Sequence, residues 1–311
     1  MIWSFSSSRT FRRCQREWYF RSHVANAIAR DPIRHEAYLL SKLQSIPAWR
    51  GDLVDHVISR RVIPTLKNKW SLNPARIRKD ARETFEQQLA FARQHRLREA
   101  GMSPTKAGDA FAAFMDIQYG VEVGEDKLTQ AWQDIELALN NLFQMQELLT
   151  LLGSASDLIP QRPLSFSQDG ITVRAVPDVI AFFSSAPPLI VDWKVHTYGT
   201  HDYRLQLMCY ALALTRCKPH KDFSPSLSRY AATDIRLIEI QLLTNRQREY
   251  HLSDADVAAV ETHITHSADQ MALAIGDCSN GELSAFDFAV AQNPDACQRC
   301  PFRLLCWEEE T

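Results

Sequence analysis

Asp178, Asp192 and Lys194 are the residues of this 311-residue chain whose types and spacing could carry chemistry. They lie within VRAVPDVIAFFSSAPPLIVDWKVHTYGTHDYRLQLMCY, Val173 to Tyr210, at the ends of two short apolar runs, Val179–Phe183 and Leu189–Val191. The length of these runs and their β-branched, aromatic content predict buried strands. Side chains alternate along a strand, so Asp192 and Lys194 point to one side and Trp193 to the other. If the two runs pair as neighbours, Asp178 approaches the side of Asp192. Two carboxylates and a lysine at a sheet edge suit the binding of Mg²⁺ or Mn²⁺ through oxygen, and the activation of a water against a phosphodiester. A D-x-K triplet alone is a common pattern. Charges placed directly after a buried run are more telling, because they are costly there unless paired or bound to metal.

The segment that follows, Tyr203 to Leu214, has a helical pattern in which Gln206 and Tyr210 stand four apart on one face. The order PD…(D-x-K)…(Q-x-x-x-Y) resembles the PD-(D/E)XK nucleases, in particular the RecB-like branch that includes the AddB nuclease domain and CRISPR-associated exonucleases. The resemblance implies that Asp178, Asp192 and the carbonyl oxygen of Trp193 hold one or two Mg²⁺ or Mn²⁺ ions. Lys194 would orient or deprotonate the attacking water, and Gln206 and Tyr210 would position the strand and brace the site. It also implies a DNA substrate, single-stranded or a frayed duplex end, cut as an exonuclease or flap nuclease. Such nucleases work fused to or beside a helicase or a phage-defence machine, in repair, recombination or defence. The chain contains no G-x-x-x-x-G-K-[ST] motif, so a helicase or defence-complex partner is expected in trans.

In the resembling family the first site residue is a histidine four positions after a glycine. Counted from Gly51, that position is Asp55, with His56 next to it, on a stretch whose Leu53, Val54, Val57 and Ile58 have helical periodicity. Asp55 holds the motif position and its oxygen suits a hard cation. A small shift would bring His56 inward instead, and both residues remain candidate ligands.

Cys297-Gln-Arg-Cys300-Pro-Phe-Arg-Leu-Leu-Cys306 is a C-x₂-C-x₅-C cluster, a metal signal one ligand short of the four that zinc and iron–sulfur centres take. Cys209 and Cys217, which look like packing residues, and Cys278 are other thiols; Cys14 sits among Phe11, Trp18 and Tyr19. Iron–sulfur members of the RecB-like branch have an early motif resembling S-x-S-x-x-x-x-F-x-x-C, matched here by Ser4, Ser6, Phe11 and Cys14, and a late C-x-x-C-P-F followed by a last cysteine. The resemblance therefore implies a [4Fe–4S] cluster on Cys14, Cys297, Cys300 and Cys306, with a tetrathiolate zinc site as the alternative.

Around these groups the chain reads as α/β. A hairpin is expected at 164–168 and 171–176 across Asp169-Gly170, and strands at 235–243 and 249–252 across Thr244-Asn-Arg-Gln. Helices are expected at Arg9 to Phe20, from Pro74 to a stop at Gly101, from Lys127 to Leu152, and from Ser253 to Ile275. The resemblance makes the whole a restriction-endonuclease-like mixed sheet flanked by helices, in a single nuclease domain, residues 1–311. Within it, 1–64 carry the first cysteine and first site motif, 65–160 a large helical insertion, 161–260 the core, and 261–311 the last helix and cysteines. The basic residues of the first long helix, among them Arg76, Lys79, Arg93 and Arg98, alternate with Glu83, Glu86 and Glu99 and read as a solvated face.

The net charge of −2 and pI near 6.6 give no global basic signal, so a nucleic-acid surface must be a local patch. No apolar run reaches the ~18 residues of a membrane span. The opening residues lack a leader layout. Seven cysteines then suggest thiols or metal ligands in the cytoplasm rather than disulfides. Two rival readings stand beside the nuclease: an inactive RecB-like scaffold that grips DNA or a partner, and a zinc-stapled adaptor with an accidental D-x-K.

Overall fold

The run Leu189-Ile-Val191 forms the first half of a buried strand that sits at the centre of a five-stranded mixed sheet. The computed structural model describes all residues except 98, 100–103, 197–201, 277–282 and 309–311. Its strands are β1 (Ile2–Ser4), β2 (Asp157–Pro160), β3 (Leu164–Gln168), β4 (Ile171–Ala175), β5 (Val179–Phe182), β6 (Leu189–Lys194), β7 (Arg236–Gln241) and β8 (Arg246–Tyr250). The larger sheet has the order β2-β5-β6-β7-β8, antiparallel throughout except for the parallel β6–β7 pair. A second sheet, β1-β4-β3, joins the chain's first strand in parallel to β4, and β4 to β3 as a hairpin. Asp169 and Gly170 close that hairpin with φ of 48° and 78°, the doubly positive turn that matches the twist of two strands.

The helices precede and follow this framework. Helices α1 (Phe5–Arg13), α2 (Gln15–Tyr19) and α3 (Pro32–Leu40) open the chain. Then come α4 (Ile46–Val57), α5 (Ile63–Lys67), α6 (Pro74–Gln94), α7 (Pro104–Ala107), α8 (Met115–Gln118), α9 (Glu125–Gln144) and α10 (Gln146–Ser154). After β6 come α11 (Asp202–Arg216), α12 (Asp254–Ile275), α13 (Pro294–Gln298) and α14 (Arg303–Glu308). No helix among the described residues is long and apolar enough to cross a membrane.

The large sheet separates two cores. Ile180, Phe182, Ile190 and Leu237 face a core built with α11, α12, the first helices and the small sheet. Val179, Ala181, Val191, Trp193 and Ile238 face the other, built with α4, α6, α9 and α10. β5 and β6 are buried on both faces, which is why they read as unbroken apolar runs rather than an alternation.

Several boundaries differ from the sequence reading. The expected helix from Arg9 to Phe20 is two helices. Cys14, extended at φ −160° and ψ 112°, ends α1 and caps α2, its Sγ accepting the Glu17 N–H. The run from Lys127 to Leu152 is likewise two helices, broken at Met145, whose ψ of 63° leaves the helical region. α6 stops at Gln94, well before Gly101, which with Arg98 lies outside the described residues. The turn before β8 falls earlier than expected, with Asn245 at positive φ and Arg246 already in the strand. β1 and β2 were not foreseen, and the 164–176 hairpin pairs with β1 rather than extending the large sheet.

Candidate active site

The register of β5 on β6 builds the site. Val179 pairs with Val191, so Asp178, one step further, comes level with Asp192. Asp178 Oδ2 accepts the Trp193 N–H at 2.8 Å, which fixes the carboxylate across the gap between the strands. Asp192 is 1% exposed and forms an ion pair with Lys194, two residues on and on the same face. Trp193 points the other way, into the second core.

α11 packs over the Asp192 face. Its Gln206 accepts from Lys194 Nζ through Oε1 at 3.1 Å and donates from Nε2 to the Tyr210 hydroxyl at 2.6 Å. The i, i+4 spacing of Gln206 and Tyr210 thus makes a short relay ending on the lysine. Lys194 also stands 4.8 Å from the centre of the Tyr203 ring, which stacks on His196 and hydrogen-bonds it at 2.5 Å.

α4 supplies the third carboxylate. Gln161, just after β2 with φ 50°, donates its side-chain amide to Asp55 Oδ2 at 2.8 Å and lies 3.4 Å from Asp178 Oδ1. Its backbone N–H donates to the Asp178 carbonyl at 3.0 Å. Asp55 and Asp178 are therefore tied together by one residue. His56 is not brought to this group: its ring reaches toward Asp109, 3.8 Å away, and lines a separate polar groove with Arg60 and Glu83. One turn before Asp55 on the same helix, Arg50 donates to the Val195 carbonyl at 2.6 Å and pairs with Asp134, clamping α4 to the end of β6.

The electrostatics of this cluster are repulsive. Burial first, then Asp192 and Asp55, push the Asp178 carboxyl well up. Burial pushes Asp55 up to about 6, helped by Asp52 and Asp192. Asp192 is raised by burial despite Lys194 beside it. Such shifts mark carboxylates whose charged form is penalised by burial first and by one another second. Asp55 Oδ1 is buried and has no hydrogen-bond partner among the described residues. Three oxygen-bearing side chains with an orphaned buried oxygen fit a hard divalent cation. As the side chains stand, no group of three or more His, Cys, Asp or Glu among the described residues encloses a single ion. Lys194 occupies the Asp192 carboxylate that a cation would claim.

Sequence reasoning missed Gln161 and Glu239. Glu239 is fully buried on β7, in register with Asp192, its oxygens held by Gln241 at 2.5 Å and Tyr250 at 2.7 Å. The signal for it was present: a single charge in Leu237-Ile-Glu-Ile is costly unless satisfied. Nothing in the sequence around Gln161 marks it.

Away from the carboxylates, Cys14, Cys297, Cys300 and Cys306 line one small cavity with Glu17 and Phe20. Cys300 is pushed up to about 12, by burial first and then by Glu17, Cys14 and Cys306. Arg16 donates to Cys306 Sγ at 3.5 Å. Phe302, fully buried between Cys300 and Cys306, stacks on Phe20 at 5.6 Å. Four thiols are the number a tetrathiolate centre takes, and as the side chains stand no three of them enclose a single ion. Cys209 and Cys217 are buried packing residues elsewhere, and Cys278 lies outside the described residues.

No curated protein matches this chain. The solved structure of SSO0001 aligns with 75% of this chain and 98% of its own at 13% identity, with a TM-score of 0.30, too low to bear on the fold. A family model of the PD-(D/E)XK nuclease superfamily matches residues 2–307. With nearly its whole length so matched, the chain belongs to the PD-(D/E)XK nuclease superfamily.

Proposed function

We propose that the protein is a metal-dependent DNA nuclease that hydrolyses phosphodiester bonds in single strands or frayed duplex ends. The observation that carries this reading is the convergence of Asp55, Asp178 and Asp192 with Lys194 where the β5–β6 pairing ends, under Gln206 and Tyr210. Those three carboxylates, with the Trp193 carbonyl, would hold Mg²⁺ or Mn²⁺; His56, turned toward Asp109, takes no part. The cation supplies charge neutralisation at the phosphate and lowers the pKa of a water. Lys194, released from Asp192, orients the attacking water as an ammonium and offsets charge that develops on the phosphoryl oxygens. Gln206 holds the Lys194 ammonium in place, and Tyr210 fixes Gln206.

Cys14, Cys297, Cys300 and Cys306 would bind a [4Fe–4S] cluster that staples the first helices to the last ones. Cys300 must lose its proton to do so, so binding is coupled to proton release. The protein would act in the cytoplasm, in DNA repair, recombination or phage defence, beside a helicase or defence-complex protein in trans. A labelled single strand and a frayed duplex, incubated with Mn²⁺ and with EDTA, test the activity. Cleavage with Mn²⁺ alone is expected, and no cleavage of either substrate would overturn the reading. Metal analysis of anaerobically purified protein tests the cluster: iron and sulfide are expected, and one zinc without iron would replace it.

A further inference from the structure

A cleft of about 820 Å³ opens beside the site, with Gln206 and Tyr210 forming one wall. It is therefore one hydrogen bond from Lys194. The far wall is the edge of the small sheet and the start of α1. Ser4 on β1 and Arg174 on β4 are paired in register and both line the cleft, as do Ser6 and Ser7. Arg174 is exposed, and its guanidinium has no hydrogen-bond or ion-pair partner among the described residues. Ser7 Oγ accepts the indole N–H of the buried Trp18 at 3.0 Å, which anchors it as an acceptor. No described residue takes its hydroxyl proton, so that proton is available to an anion. The rim is apolar and open: Ile2 is 52% exposed and Val176 41%.

We propose that this cleft holds the substrate strand next to the scissile bond, with Arg174 and the Ser4, Ser6 and Ser7 hydroxyls on one phosphodiester and the rim of Ile2 and Val176 against a base. An unpaired arginine and a hydroxyl donor beside apolar surface match the two faces of a single strand, an anionic backbone and a flat base. The volume is that of a small-ligand pocket, which suits a short segment of single strand. The inference rests on the nuclease reading and adds the path of the strand to it.

The test is the binding of a short fluorescein-labelled oligodeoxythymidylate, followed by anisotropy in EDTA over a series of salt concentrations. Arg174→Gln should bind roughly tenfold more weakly, and the slope of log K against log salt should fall by about 0.7, the loss of one single-strand phosphate contact. Arg174→Lys should keep the slope. Val176→Glu, which places a negative charge on the rim, should weaken binding independently. Arg12→Gln, an exposed arginine of α1 on another face, should bind as wild type does. Wild-type affinity and slope in both Arg174→Gln and Val176→Glu would overturn the strand path while leaving the nuclease reading intact. A wild-type protein that neither binds nor cleaves the oligonucleotide would overturn the nuclease reading and the path with it.

Discussion

The carboxylate site and the cysteine pocket are built by opposite means. The first is made by sheet register: Asp178, Asp192 and Lys194 sit on adjacent strands, and their positions follow from the pairing of Val179 with Val191. The second is made by the two ends of the chain, with Cys14 brought to Cys297, Cys300 and Cys306 across almost the whole sequence. The difference teaches what each centre does to the fold. Strand pairing holds the carboxylates in a buried place against desolvation and mutual repulsion, a cost that a bound cation would relieve. A centre shared by the four thiols instead closes a long loop and removes freedom from the unfolded chain. One centre loads the fold and the other would restrain it.

The comparison breaks first on catalysis. Asp192→Asn or Lys194→Ala should each slow Mn²⁺-dependent cleavage on the order of a thousandfold, measured in single turnover, with melting temperature held or raised in Asp192→Asn and lowered in Lys194→Ala, which strips the buried Asp192 of its cation. Cleavage at the wild-type rate in both variants would remove the site assignment.

Next is the staple. Cys14→Ser should abolish iron content and visible absorbance and lower stability by several kcal/mol, with about 5 kcal/mol the scale for a loop this long. Serine is itself a good N-cap, so α2 keeps its cap and the loss reports the centre rather than the helix. Iron and sulfide retained in full after Cys14→Ser would exclude it as a ligand, and Cys217→Ser, the control, should change nothing.

The buried carboxylates have their own signature. Carboxylates raised in the folded state bind more protons there than in the unfolded chain. Their contribution is present below the ordinary value of 3.8 and is lost as pH rises through about 6, the Asp55 value. Metal-free protein should therefore become less stable between those limits, by up to about 3 kcal/mol for Asp55 alone. Asp178→Asn should flatten that decline, seen as melting temperature against pH in EDTA. A metal-free protein that gains stability over the same range would contradict the picture of carboxylates buried at a cost.

The finest distinction lies on α4. Asp55→Asn should raise the Mn²⁺ concentration for half-maximal cleavage about tenfold, and His56→Asn should leave it within about twofold. The reverse result would move the ligand by one position and put His56 in the site.

How far the sequence anticipated these centres depended on whether their geometry is local. The alternation of Asp192, Trp193 and Lys194 is a two-residue property of any strand, and the Gln206–Tyr210 spacing is a property of any helix, so both were readable. The strands themselves were legible because burial on both faces leaves unbroken apolar runs. β1 was not, because three residues, Ile2-Trp-Ser4, have no periodicity and become a strand only by pairing with β4. The break at Cys14 was hidden for a related reason: Arg9 to Phe20 has helical composition, and only a tertiary position for the thiol makes the extended turn worth its cost. Gln161 depends on the meeting of β2, α4 and β5, which no local pattern encodes. The order of Asp55 and His56 could not be resolved from helical periodicity alone, since neighbours on a helix differ by only about 100°.

The most direct test of the central claim, that the β5–β6 register and the Gln161 link to α4 gather Asp55, Asp178 and Asp192 into one cation site, is calorimetric titration of Mn²⁺ into the protein in two buffers of different ionisation heat. Near pH 6 the wild-type protein should bind Mn²⁺ with proton release, because the raised carboxylates must give up protons to ligate, and Asp178→Asn should bind at least tenfold more weakly. Equal affinity in the two proteins, with no buffer dependence in either, would contradict it.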